Sequence, residues 1–149
     1  MKKIVRLELA DVEVIVAASM AKAQELGVAE SICVCDEGGH PIVLMRMDEA
    51  RITGVEIAMA KAFTAAGHRR ATHLFNREGG PAVPGGEAFG IHVMHPGKFA
   101  IFVGGFPIEL DGQVIGGLGI SGGNGEQDTL VGQAGLEAFA FHVENLRLG

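Results

Sequence analysis

From Leu9 to Gly27 the apolar positions fall at Val12, Ile15, Val16, Met20, Ala23 and Leu26. That spacing keeps them on one side of a helix, and Gly27 is placed to cap its end. The pattern then changes to alternation. The stretch "SICVCDEGGHPIVLMRMD" predicts two strands around a tight turn, with Gly38 and Gly39 supplying positive φ. Ile32 and Val34 share one face, Cys33 and Cys35 the other. Helical spacing returns in "GVEIAMAKAFTAAGHRR", where Thr53 and Glu56 form a capping-box signature. Val55, Ala58, Met59, Ala62 and Ala66 make the face expected in the core. Ile57, Lys61, Thr64 and His68 share another. The many alanines let a second element approach this helix closely. A short helical piece is expected in "ATHLFNRE".

The back half is richer in glycine: 17 of the 23 lie between Gly79 and Gly135. "GGPAVPGG" has no periodicity and is expected to be a loop. "AFGIHVM" and "FAIFVGGFPIEL" predict strands joined at "HPGK". "LDGQ" is a hairpin signal, and "VIGGLGIS" is the returning strand. A final helix follows, with Asn124 as N-cap, Gln127 at the capping-box position, and Leu130, Ala134, Ala138 and Phe141 along one side. Strands linked by hairpins make an antiparallel sheet, so the expected class is α+β, in one domain spanning residues 1–149.

Within "VIGGLGISGGNGEQD" the alternation leaves bare backbone at Gly117 and Gly119, with Ile115 on the same side and Leu118 and Ile120 opposite. A helix, a neighbouring subunit or a flat ligand can pack directly on such a face. The expectation is a slot against the sheet near Arg46, Lys61 and Asn124. Beyond it, the amides of Ser121, Gly122, Gly123 and Asn124 stand at a helix N-terminus, which suits a carboxylate or phosphate. The competing reading is a tight turn whose polar groups are satisfied by the helix end itself. The Lys-Ser/Thr of a phosphate loop is missing.

Charge and composition narrow the function classes. The formal charge is −6 with no basic stripe, which disfavours nucleic acid. No run of about 18 apolar residues exists, so no membrane span is expected. Lys2 and Lys3 lead into "IVRLELADVE", too charged for an export segment, so the expected location is cytoplasmic. Cys33 and Cys35 alternate in a strand and are expected to be buried free thiols.

"DEGGHPIVLMRMDEA", "AKAFTAA" and "GGFPIELDGQVIGGLGISGGNGEQD", in that order, resemble the GlcG/HbpS family. This family includes haem-binding HbpS-like proteins and the C-terminal domain of PduO-type proteins. The resemblance implies a profilin-like sandwich with a five-stranded antiparallel sheet flanked by helices. It also implies a homo-oligomer, often an octamer. It does not fix one activity: members are linked to haem or iron, and one branch is a lyase. That lyase converts a hydroxylaminobenzoate to protocatechuate and ammonia without an organic cofactor. An adenosyltransferase activity would belong to a separate domain of PduO-type proteins. The two histidines of "GIHVMHPGKF" depart from the common pattern.

Candidate chemistry follows from residue type. Arg46 offers a planar fork for a carboxylate, or a turn-fixing pair with Asp48 or Glu49. Lys61, among small apolar neighbours, is a candidate base or carboxylate anchor. His68, His92, His95 and Glu126 are candidates for moving a proton. His40, in the first turn, is expected to be exposed. No metal site is expected, because His92 and His95 would need a bend at Pro96 and a carboxylate such as Glu87 to converge. One function consistent with this set is a small-molecule-binding protein, with haem or a carboxylated aromatic held at a subunit interface by Arg46, Asp48, Lys61 or the 121–124 amides. The alternative is the lyase. A third is an oligomer without turnover.

Overall fold

The computed structural model describes residues 1–149. In chain order the elements are α1 (Leu9–Leu26), β1 (Ser31–Asp36), β2 (Pro41–Arg46), α2 (Gly54–His68), β3 (Gly105–Leu110), β4 (Gln113–Ser121) and α3 (Gly125–Leu148). Single 3-10 turns occur at Thr72–Leu74 and Ile91–Val93. The strands form one antiparallel sheet in the order β2-β1-β4-β3. Helices α1 and α3 cover one face, where Val12, Ile15, Val131 and Phe139 pack with Ile32, Val34, Leu118 and Ile120. Helix α2 covers the other, where Ala58, Ala62 and Ala66 meet Cys33 and Cys35. Both thiols are free, and burial pushes each up to about 12.

Local signals set most boundaries. Gly27 ends α1 at φ 69°. The β1–β2 turn takes its positive φ from Gly39 alone, at 82°. Asp111 and Gly112, at φ 48° and 75°, make the left-handed pair that a two-residue hairpin needs. Asn124 and Gln127 cap α3 reciprocally, at 2.9 and 3.0 Å. Thr53 does not cap α2: it is already helical in φ and ψ, and its side chain makes no cap bond.

The fifth strand is not formed. Residues 88–102 run through turns instead, with Gly90 at φ 86° and Gly97 at 74° interrupting any extended run. Gly104, at φ 119°, then breaks "FAIFVGGFPIEL" so that only Gly105–Leu110 joins the sheet. This leaves β3 at an edge. Its Gly105 N–H is taken by Thr72 Oγ1 at 2.8 Å, and Pro107 has no N–H to offer.

Three faces differ from the sequence expectation. Register slips between Ile108 and Glu109, so Ile115 is bulged and buried with Leu118 and Ile120 rather than opposite them. In α3 the buried line is Asp128, Val131, Gly132, Gly135 and Phe139, whereas Leu130 and Phe141 are exposed. The cause is close helix contact: a Cβ on Gly135 would stand 2.4 Å from Ser19 Oγ, and one on Gly132 2.3 Å from the Phe106 ring. In α2 the expected core residue Met59 is exposed, while Lys61 and Thr64 are buried.

The bare face of β4 is occupied by the chain itself. A Cβ at Gly119 would lie 1.9 Å from the Ala58 carbonyl oxygen, and one at Gly117 2.1 Å from that of Ala62. Helix α2 therefore rests backbone on backbone, and the expected slot is closed. Gly119→Ala forces α2 off the strand and is expected to destabilise the fold by about 1–3 kcal/mol or more. Urea unfolding measures this; an unchanged midpoint would contradict the packing.

Candidate functional site

The junction after β4 gathers several predicted residues, but around the chain's own acids. Lys61 projects from α2 and is 2% exposed. Its Nζ donates to the Ile120 carbonyl at 2.5 Å and pairs with Asp128 Oδ2 at 3.1 Å. The Phe102 ring lies 5.3 Å away. Burial lowers the Lys61 pKa, with Asp128 and then Glu30 opposing the shift. The Gly123 N–H donates to Asp128 Oδ1 at 2.9 Å and to Glu30 Oε2 at 3.2 Å. Asn124 is engaged by its cap, and Gly122 lies against Ala29 and Glu30. Ser121 is buried. The acidic group expected at these amides is thus supplied by Glu30 and Asp128. Glu30 was missed by sequence reasoning, although a glutamate directly before a strand buried along nearly its whole length is its signal.

The remaining basic and acidic candidates stand apart. Arg46 and Asp48 are exposed at the end of β2, and Arg46 forms no ion pair with Asp48 or Glu49. Glu126 is exposed in the first turn of α3.

The outer side of α2 carries a different grouping. A cleft of about 450 Å³ opens between the β1–β2 turn and α2. Pro41, Met59, Ala60 and Phe63 give it apolar walls, and His40, Glu56 and Lys98 supply polar groups. Gly39 is required there: it has φ 82°, and a Cβ would stand 2.5 Å from the Phe63 ring. The far wall is tied down by Thr64, whose Oγ1 accepts from the Ala100 N–H at 2.9 Å and faces the Lys98 carbonyl at 3.4 Å. A larger cleft of about 510 Å³, between β3 and the end of α3, contains none of the predicted residues.

Beside the α2 cleft, two predicted histidines share one aromatic cluster. His95 stacks on Phe99 at 6.3 Å between ring centres and meets Phe63 edge-on at 5.6 Å. His68 meets Phe99 at 5.7 Å and Phe75 at 5.0 Å. Burial, then the Arg70 charge, lowers the His68 pKa, favouring the neutral ring. His92 belongs to the Ile91–Val93 turn, and its Nδ1 is buried without a hydrogen-bond partner. No three His, Cys, Asp or Glu side chains converge in a way that would hold a metal ion. No helix is long and apolar enough to cross a membrane.

Residues 7–137 match the family described as "Haem degrading protein HbpS-like". A 15.0 kDa protein from the dhaT-dhaS intergenic region of Citrobacter freundii is 37% identical over 139 residues, 93% of this chain and 96% of that one. The corrinoid adenosyltransferase PduO of Salmonella typhimurium is 35% identical over 90% of this chain, which spans only 39% of PduO. The crystal structure of a PduOC:haem complex superposes with a TM-score of 0.85 at 35% identity, covering 90% of this chain and 95% of that one.

Thr64 is the fastener of the cleft wall. Thr64→Val leaves the buried Ala100 N–H without its acceptor, at an expected cost of about 1–3 kcal/mol. Hydrogen exchange should show the amides around Ala100 exchanging faster, with those of β1 little changed. Unaltered protection at Ala100 would contradict this role.

Proposed function

The chain belongs to the HbpS-like family, and on that premise we propose that it binds haem in the cleft on the outer side of α2. The observation that carries this reading is its likeness to the PduOC:haem complex over nearly the whole of that chain. The cleft supports it on chemical grounds. Its volume falls within the range of about 300–1,000 Å³ that small-molecule sites occupy. Pro41, Met59 and Phe63 offer apolar surface to a flat macrocycle. Lys98 is a point charge for a propionate. His40 is exposed, and its backbone N–H donates to Asp36 Oδ1 at 3.0 Å, which fixes the turn that presents the ring. His40 would offer a ring nitrogen to the haem iron, and the Met59 thioether a sulfur donor. Bound haem would supply an iron centre whose reactivity is tuned by the donor that holds it and by the polarity around it.

This reading moves the ligand away from Arg46, Lys61 and Asn124. It keeps His95 as a neighbour of the cleft wall through Phe63. Assembly into a homo-oligomer, an octamer by family resemblance, is part of the same proposal. Exposed Phe89, Val93, Met94 and Phe102 support it as apolar surface available to a neighbouring copy. The cluster joining His68 and His95 favours one second reading, a carboxylated aromatic as ligand with Lys98 as its anchor.

Haemin added to the purified protein is expected to give a saturable Soret shift. His40→Ala should weaken binding by at least about tenfold, or about 1.4 kcal/mol, while His92→Ala leaves it unchanged. A linear, unsaturable response would remove the haem reading. Ammonia release from 4-hydroxylaminobenzoate, lost in His95→Ala, would put the lyase in its place.

A further inference from the structure

The polar group at the end of β4 has a composition that the haem reading does not use. Three ionisable side chains from three separate stretches of the chain meet in the interior. Glu30 precedes β1 and is 0% exposed, Lys61 comes from α2, and Asp128 from the first turn of α3 at 3% exposed. We propose that Glu30, Lys61 and Asp128 form one buried proton-binding site. In it the lysine is an ammonium, the aspartate a carboxylate and the glutamate a carboxylic acid, and loss of that one proton loosens α2 and α3 from the sheet.

Hydrogen bonding assigns the charges. Lys61 finds acceptors in the Ile120 carbonyl and Asp128 Oδ2, and the face of Phe102 lies beyond them, so its ammonium is solvated by the protein. Asp128 has that ammonium on one oxygen and the Gly123 N–H on the other. Glu30 is less well placed. No cation lies within ion-pair distance of it, it shares the single Gly123 N–H with Asp128, and its Oε1 has no partner. An ionised Glu30 would leave an unpaired negative charge in a site without water contact, which is among the most costly arrangements a fold can contain. As an acid it can instead donate to Asp128.

The surroundings supply no other remedy. The titratable groups facing Glu30 are Asp128 from α3 and Lys61 from α2. From the strand side comes a neutral group, Met47 just beyond β2, whose sulfur accepts from the Glu30 N–H at 3.4 Å. Burial first, and the Asp128 charge second, push the Glu30 carboxyl from 4.5 up to about 8.

The consequence for stability has a definite sign. In the unfolded chain Glu30 releases its proton near 4.5, while the folded protein keeps it until about 8. Between those values the folded state binds more protons than the unfolded one, so stability falls as pH rises. Below the window the contribution is fully present, and above it the contribution is gone. One proton amounts to at most about a tenfold change in the folded-to-unfolded ratio per pH unit.

The test has two arms. Urea unfolding is measured from about pH 5 to about pH 8 for the natural chain and for Glu30→Gln, which keeps the shape and removes the titration. The natural chain should lose stability across this window, and the variant should lose much less. In the second arm, carbon-13 NMR follows the Glu30 side-chain carboxyl in the natural chain, so the answer does not depend on how well a variant folds. Its resonance should stay at the carboxylic-acid position at neutral pH. Parallel pH profiles in the two proteins, or a Glu30 resonance that titrates in the ordinary carboxylate range, would overturn the proposal. Neither readout involves haem, so this inference and the haem reading can fail separately.

Discussion

The α2 backbone lies directly on β4, with the Ala58 and Ala62 carbonyls where side chains at residues 119 and 117 would otherwise stand. This contact constrains the rest of the structure. It demands glycine on the strand and small residues on the helix, and both are present. It turns the β1 cysteines into buried packing groups beneath α2. It also decides which surface of α2 remains for a ligand. The inner side is sealed, and the outer side, with Met59, Ala60 and Phe63, faces the β1–β2 turn across the cleft.

The same close approach carries Lys61 into the interior at the point where β4 ends and α3 begins. A buried ammonium requires a counter-charge, and Asp128 provides it. Glu30 adds a second acid, and the glycine-rich turn supplies the amide that both acids share. Glycine-rich backbone at a helix N-terminus does attract an anion here, but the anion is part of the protein. The turn thus anchors α2, α3 and the start of β1 to one another instead of opening towards solvent.

What the sequence made legible was mostly local. Gly27, the Asp111-Gly112 hairpin and the Asn124–Gln127 cap each depend on a few neighbouring residues, and each took its expected form. Alternation placed Ile32 and Val34 opposite Cys33 and Cys35 correctly. The failures are long-range. Nothing near "FAIFV" reveals that Thr64 will hold Ala100 against α2 instead of leaving that stretch to pair as a strand. The buried line of α3 follows glycines because α1 and Phe106 come so close, and a search for large apolar residues selects the wrong side. Glu30 and Asp128 are far apart in the chain, so their shared amide could not be foreseen. His68 and His95 were both suspected, yet only the fold shows that Phe99 joins them. The family was legible throughout, because its motif order survives in residues whose roles are set by this packing.

The most direct test of the account is a crystal structure of this chain with haemin bound. The macrocycle is expected on the outer side of α2, against Pro41, Met59 and Phe63 and within reach of His40, while the helix keeps its seat on Gly117 and Gly119. A macrocycle lodged between α2 and β4, or held at Arg46 and Asn124, would contradict it.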